Sequence, residues 1–241
     1  MPSSAALDFS RRIPPRELPE LMDGDCSYED FRDCLRSLEQ VNRWLMGYRP
    51  TLAWLEQLSS DRREPVHIVD VGSGGGDLLR QIARWARRRG ILVELTGIDL
   101  NPYAVRAAKE STPGELGIAW VAGDALDHQP EKPIDIVVNS LMTHHLEDEE
   151  IVRLMQWMEV AAQRGWFIND LERSERACRA FERLAQLVGW HPFVRHDGPV
   201  SFRRSFREAD WAGLLATAEV PREAVTIEHW RPGRLCVGRW K

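Results

Sequence analysis

The feature that most constrains this chain is an apolar run, Val66 to Val71, that passes without a break into Gly72-Ser73-Gly74-Gly75-Gly76-Asp77 and then into a helical pattern. A run apolar on both sides belongs to a strand covered on both faces, as parallel sheets require. Glycines directly after it let the backbone turn sharply and come close to a ligand, and the following helix start offers unpaired N–H groups to a negative group. The rest of the chain repeats the alternation. Helices are predicted over 77–89, 102–110 and 147–162, and strands over 92–98, 118–122, 134–139 and 165–169. Strict strand–helix alternation implies right-handed crossovers and a parallel sheet. Near the end, 225–229 and 234–239 flank Trp230-Arg231-Pro232-Gly233, the pattern of a hairpin and hence of an antiparallel edge.

Two regions stand outside this alternation. Residues 1–24, with Pro14, Pro15 and Pro19, read as an arm without structure of its own, and from Tyr28 the apolar positions Phe31, Leu35, Leu38, Val41 and Leu45 recur at helical spacing. The expected organisation is an arm and helical cap over 1–60, then a main domain over 61–241. About 35 residues separate Asn169 from Ser205, against roughly 2–6 in an ordinary connection of this kind. They hold an amphipathic helix (Ala177, Phe181, Leu184, Val188) and then an expected loop, Gly189 to Arg204. Insertions at the carboxyl ends of strands usually cover the ligand crevice, so 172–204 reads as a lid.

At 241 residues and 43% hydrophobic content the chain can bury one sizeable core. A net charge of −5 disfavours a nucleic-acid partner. No segment approaches the roughly 20 apolar residues of a membrane span, and no signal-type apolar run is found, so a cytoplasmic location is expected. Cys26, Cys34, Cys178 and Cys236 form no C-x-x-C pair and are expected to be free thiols. The glycine loop also excludes a ligand. Counting from Gly72, the third glycine of a dinucleotide fingerprint is replaced by Asp77, whose charge would oppose a pyrophosphate. A carboxylate-bearing amino acid suits the loop better.

Asp70-x-Gly72-Ser73-Gly74-x-Gly76 resembles the first motif of class I S-adenosylmethionine-dependent methyltransferases, and three further segments agree with that family in order. Gly97-Ile98-Asp99-Leu100 is similar to its second strand end, Gly123-Asp124-Ala125 to its third, and Val137-Val138-Asn139-Ser140 to its fourth. The resemblance covers roughly 65–170 and implies a Rossmann-like α/β fold with a seven-stranded, mostly parallel sheet of order 3-2-1-4-5-7-6, strand 7 antiparallel. It implies S-adenosyl-L-methionine as cofactor, held by Asp70, Gly72, Ser73, Gly74, Asp99, Leu100, Asp124, Ala125 and Asn139. In that family the residue matching Asp99 takes both ribose hydroxyls, that matching Asp124 faces the adenine amine, and the segment at Asn139 meets the methionine end through its main chain.

On the acceptor side, Asn139-Ser140-Leu141-Met142 lacks the Pro-Pro-aromatic continuation of amide and adenine-N6 methyltransferases, which disfavours those acceptors. His144, His145 and His196 are the candidates for taking a proton near neutral pH, each with the bland alternative of a local capping or packing role. No metal is expected, since the histidine spacing suits no zinc set and only Asp170 is well placed for magnesium. Trp44, Trp54 and Trp190 in the cap and lid are either walls for a flat acceptor or ordinary helix packing. A second, less specific resemblance, through Val41 to Arg49, Asn169-Asp170-Leu171 and Arg195 to Pro199, is to bacterial small-molecule methyltransferases similar to quinone-biosynthesis and polyketide-associated enzymes. The expected reaction is methylation of a phenolic, enolic or quinol-like hydroxyl on a small molecule. The alternatives are C-methylation of a quinone or polyketide precursor and a binding module without turnover; an NAD-dependent reductase is disfavoured by Asp77 and by the lack of a Tyr-x-x-x-Lys pair.

Overall fold

A computed structural model describes residues 8–58 and 64–241. The expected boundary at 60/61 and part of the charged linker lie outside the described residues. The cap is α1 (Tyr28–Trp44) and α2 (Arg49–Leu55). Then follow β1 (Val66–Val71), α3 (Asp77–Arg89), β2 (Val93–Asp99), α4 (Pro102–Ser111), β3 (Ile118–Ala122) and β4 (Ile134–Ser140). The remainder is α5 (Asp148–Ala161), β5 (Ala162–Leu171), α6 (Glu175–Val188), α7 (Pro192–Arg204), α8 (Glu208–Thr217), β6 (Thr226–Trp230) and β7 (Arg234–Trp240).

The strands form one sheet of order β3-β2-β1-β4-β5-β7-β6. Pairing is parallel from β3 to β5 and antiparallel where β7 joins β5 and β6, as the hairpin pattern predicts. β1 is buried along its whole length. Its alternate residues serve two cores: Val69 and Val71 pack with Val137, Met155 and Trp211 on one face, and Val66 and Ile68 with Leu79, Ile82 and Ile136 on the other. That double burial is why the run has no polar alternation apart from His67 and Asp70.

The structure corrects the sequence reading in two places. From Asp8 the arm runs as a strap over the carboxyl end of the sheet. Phe9 and Ile13 are buried, the Ile13 N–H donates to the Arg203 carbonyl, and Arg12 binds the carbonyls of Leu146 and Arg204. Its two short 3-10 turns, Pro15–Glu17 and Leu21–Asp23, give it no internal core, so tertiary contacts alone hold it. Second, Gly189 to Arg204 is no loop, because α7 fills it despite Gly198 and Pro199. A Cβ on Gly198 would stand 2.0 Å from Phe181 Cε1, so glycine is what lets α7 lie against α6. Close packing outweighs the helix-breaking signals that made the segment look irregular.

Candidate active site

Two adjoining cavities open at the carboxyl ends of the parallel strands, the general ligand position for open α/β sheets. The larger, about 580 Å³, is lined by Gly72, Ser73, Gly74, Asp99, Leu100, Asp124 and Ala125. Asp70 and Asn139 are not in its lining; they are buried at 2% and 0% exposure, with Asp70 Oδ1 and both Asn139 side-chain atoms unpartnered. Burial, then the carboxylates of Asp77 and Asp99, push the Asp70 carboxyl well up.

The glycine loop is shaped for a ligand. Gly72, Gly74 and Gly76 all have positive φ, a conformation β-carbons disfavour. At Gly74 an added Cβ would meet only Leu35, 3.7 Å away, so the backbone faces the cavity with room before it. At Gly76 the reason is different: Trp120 packs where the Cβ would be. Arg80, 3% exposed, fixes the loop from behind by donating to the Gly75 carbonyl at 2.6 Å and to Glu39 at 2.6 Å. Asp77, read from sequence as an obstacle to a pyrophosphate, accepts from Tyr48 Oη at 2.7 Å and Asn42 Nδ2 at 3.1 Å, which joins the cap to the start of α3.

Asp99 accepts the Gly74 N–H on Oδ2 at 2.8 Å and the Asn101 N–H on Oδ1 at 2.9 Å. Each oxygen keeps a lone pair, so the carboxylate can accept a diol as well. Burial raises its pKa, against the lowering by the two N–H groups. Asp124 spends one oxygen on the Leu126 N–H at 2.9 Å. The residues fit a nucleoside joined to an amino acid. The volume is adequate, a diol acceptor is in place, and the buried Ser73 Oγ in the lining has no partner among the described residues.

The second cavity, about 110 Å³, lies under the strap, α1, α6 and α7, and is bounded by Leu38, Val41, Leu45, Leu171, Phe181 and Phe202 among others. It shares Met22, Leu38, Asn42, Leu141 and His145 with the first. Leu141, at the junction, has φ of 58°, a strained backbone for a branched residue.

The three histidines have separate surroundings. His144 is 2% exposed, lines the second cavity, and pairs through Nδ1 with Asp170 Oδ1 at 2.7 Å. Asp170 also accepts from Thr143 Oγ1 and from the N–H groups of His144 and Leu171. Burial alone would raise its carboxyl, but His144, Thr143 and the Leu171 N–H override that and hold it far below the carboxylate range. An ionised Asp170 can only accept, so Nδ1 presents a proton to it and Nε2 is the nitrogen that faces Glu20, 4.0 Å away. His145 lines both cavities, with Nδ1 3.2 Å from Asp23 Oδ1 and Nε2 3.7 Å from Glu20 Oε2. Burial opposes its charge, and Glu20 and Asp23 outweigh burial, so its pKa is raised. His196 lines neither cavity and pairs with Asp197 at 2.8 Å on a half-exposed side chain.

Sequence reasoning missed the strap's contribution. Glu20, 4% exposed, faces Arg204 at 3.0 Å and accepts from Ser201 Oγ at 2.8 Å; Arg204 also reaches Asp23 at 3.1 Å. Donor atoms of Glu20, His144 and His145 lie within 4.8 Å of one another, and Arg204 is the cation that Glu20 already faces. Of the tryptophans singled out, none lines either of these two cavities: Trp54 stacks on Phe167 and Trp240, and Trp44 meets Trp190 edge-on. The four cysteines are free. Among the described residues no helix is long and apolar enough to cross a membrane.

Residues 68–165 match the sequence profile of the family described as "Methyltransferase domain". A trans-aconitate 2-methyltransferase of Streptomyces avermitilis is 28% identical over 171 residues, covering 67% of this chain and 61% of that protein. That of Mycobacterium tuberculosis is 32% identical over 99 residues, 41% of this chain and 34% of that protein. The chain therefore spans from a third to three fifths of the length of these relatives. Among solved structures, the plantazolicin methyltransferase BpumL in complex with a pentazolic desmethylPZN analog and SAH has a TM-score of 0.61 at 16% identity, covering 83% of this chain and 84% of that one. Human N-acetylserotonin methyltransferase in complex with SAM also has a TM-score of 0.61, at 19% identity over 89% of this chain and 56% of that one. The sheet order, the glycine loop and the Asp99 carboxylate agree with these matches: residues 68–165 are similar to a methyltransferase domain, and the fold is that of class I S-adenosylmethionine-dependent methyltransferases.

Proposed function

We propose that this protein methylates a hydroxyl group on a small, largely apolar acceptor held in the second cavity, using S-adenosyl-L-methionine held in the first. The observation that carries this reading is the buried Asp170–His144 pair at the wall of the second cavity. When bound, S-adenosylmethionine supplies an electrophilic methyl group on a sulfonium. Gly72, Ser73, Gly74, Asp99, Leu100, Asp124 and Ala125 bind the cofactor, with Asp99 taking the ribose diol. The apolar walls given by the cap and by α6 and α7 exclude water and align the acceptor, which is most of what an in-line displacement asks of a protein.

The remaining task is the acceptor's proton. Asp170 stays anionic, fixes the tautomer of His144 and stabilises the imidazolium that forms when Nε2 takes the proton. His145 holds a proton more readily because of Glu20 and Asp23, and His196 stands away from both cavities, so His144 is the base among the three. The sequence relatives are named for trans-aconitate; a carboxylate already ionised needs no proton acceptor, and the His144 pair therefore favours a hydroxyl.

Calorimetry with S-adenosylmethionine and S-adenosylhomocysteine, followed by incubation with methyl-labelled cofactor and a library of phenols, pyrones and quinols read by mass spectrometry, tests the proposal. Binding of both ligands and label on an acceptor oxygen are expected. Label on carbon, or binding with no turnover on any acceptor, would overturn it.

A further inference from the structure

The second cavity is walled mainly by apolar side chains, yet it contains one cation that, among the described residues, no carboxylate contacts. Its acids are all accounted for. Glu20 has Arg204 and Ser201, and Asp197 accepts the N–H groups of Leu21 and Met22 and pairs with His196. Arg234, at the first position of β7, is different. It is 5% exposed and lines this cavity, and its guanidinium donates to neutral oxygens: Nη1 to Asn169 Oδ1 at 3.1 Å and Nη2 to Asn42 Oδ1 at 2.9 Å. Among the described residues no carboxylate lies within 4.0 Å of it, whereas the buried Arg80, Arg173 and Arg204 all have one. Arginine does not lose its proton in a protein, and a buried cation without an anion is costly.

The surroundings are built to keep this cation where it is. Asn42 is oriented from its other end, because Nδ2 donates to Asp77, so Oδ1 is presented to Arg234. A Cβ on Gly47 would lie 2.5 Å from Arg234 Nη2; glycine there gives the guanidinium its place. Two amides and a glycine position a charge on which Asp170 and Asp77 act only from a distance, and no carboxylate of the described residues contacts it.

We infer that the acceptor carries a carboxylate and that Arg234 is its counter-ion, so that the substrate class is a hydroxy acid with an apolar body. The inference rests on the methyltransferase reading above. The cofactor's amino-acid end also has a carboxylate, but Arg234 lines the second cavity and not the first. A guanidinium grips a planar carboxylate through two parallel N–H bonds, which fixes orientation as well as charge. Arg234 thereby sets which part of the acceptor is presented to His144.

The test uses the full chain loaded with S-adenosylhomocysteine and a panel of hydroxybenzoates, hydroxycinnamates and 3-hydroxyalkanoates, each paired with its primary amide. Acids should bind at least about tenfold more tightly than their amides, as expected for a charge pair shielded from water. Arg234→Met should erase that gap while changing S-adenosylhomocysteine affinity less than about twofold, and Arg234→Lys should keep part of it. Equal binding of acids and amides, or a panel in which no acid binds, overturns the inference. So does an Arg234→Met protein that loses affinity for S-adenosylhomocysteine but not for methylthioadenosine, since the guanidinium then serves the cofactor's carboxylate. Should Arg234→Met fail to fold, the acid–amide comparison on the wild-type chain still decides. A wild-type protein that binds neither form of the cofactor fails the methyltransferase reading instead, by a separate measurement.

Discussion

The two cavities share a wall but are built in opposite ways. The residues expected to hold the cofactor in the first come from strand ends and the loops that follow them, and their polar contacts stay within the sheet region: Asp99 binds Gly74 and Asn101, and Asp124 binds Leu126. The second is assembled from segments far apart in the chain. Glu20 meets Ser201 across 181 positions, and Arg234 meets Asn42 across 192. The cofactor contacts of the first belong to the sheet, with the strap and α1 closing one side, whereas the second exists only once the strap, α1, α7 and β7 have all docked. Cofactor binding and acceptor chemistry should therefore respond to different substitutions, and that separation can be broken.

The largest expected effect is on stability. Arg204→Met leaves Glu20 and Asp23 with no arginine between them in the buried strap contact, and losing one partner of a buried pair costs about 3–5 kcal/mol. Arg80→Met on the cofactor side should cost less, because its partner Glu39 is about one third exposed. Denaturant unfolding of both variants checks the order, and equal losses would mean the strap is no more demanding than the glycine loop.

Next in size is turnover. His144→Ala should slow methyl transfer by roughly 100-fold or more with cofactor affinity nearly unchanged, the deficit shrinking as pH rises and the acceptor ionises unaided. Asp170→Asn should share the defect, because it removes the anion that sets the tautomer. Near-normal turnover in both across pH 6–9 would mean that alignment alone suffices.

Asp99→Ala reverses the pattern. Charged hydrogen bonds contribute roughly 1.5–3 kcal/mol each, so S-adenosylhomocysteine should bind at least about tenfold more weakly by calorimetry. Unchanged affinity would remove Asp99 from the ribose site.

The smallest effect straddles both cavities. The His145 pKa is raised above 6.5, so its contribution to stability is fully present below pH 6.5 and is lost as pH rises through the folded value. Asp23 is lowered from 3.8 to about 2, so its contribution is present above 3.8 and lost as pH falls through about 2. Thermal unfolding of the wild type against His145→Gln should thus show a gap of about 2–4 °C near pH 6 that closes by pH 9. A gap constant with pH would show that His145 acts by packing.

This contrast also explains what could be read in advance. The terminal hairpin and the glycine loop follow from local runs and their spacing, the sheet order follows from the family resemblance, and Asp70 to Asp77 announces itself because loop, helix start and strand end are contiguous. Asp170 was visible as an acid at a strand end, though as a candidate metal ligand and not as the partner of His144. Glu20, Asp23, Arg204 and Arg234 gave no signal, since a proline-rich arm and scattered arginines become meaningful only through long-range contact. The same cause misplaced α7: Gly198 and Pro199 signal a turn locally, and only the approach of Phe181 makes them part of a helix.

The strap carries Glu20 and Asp23 on a stretch with no regular structure beyond two single turns, held at its ends by Arg12 and by the start of α1. Inserting or deleting one residue between Leu18 and Ser27 would move both acids relative to the histidines while leaving every strand of the sheet untouched. Acceptor choice can thus change by slippage in a short segment without any change in the glycine loop, and two such proteins could look alike throughout the sheet while accepting different molecules.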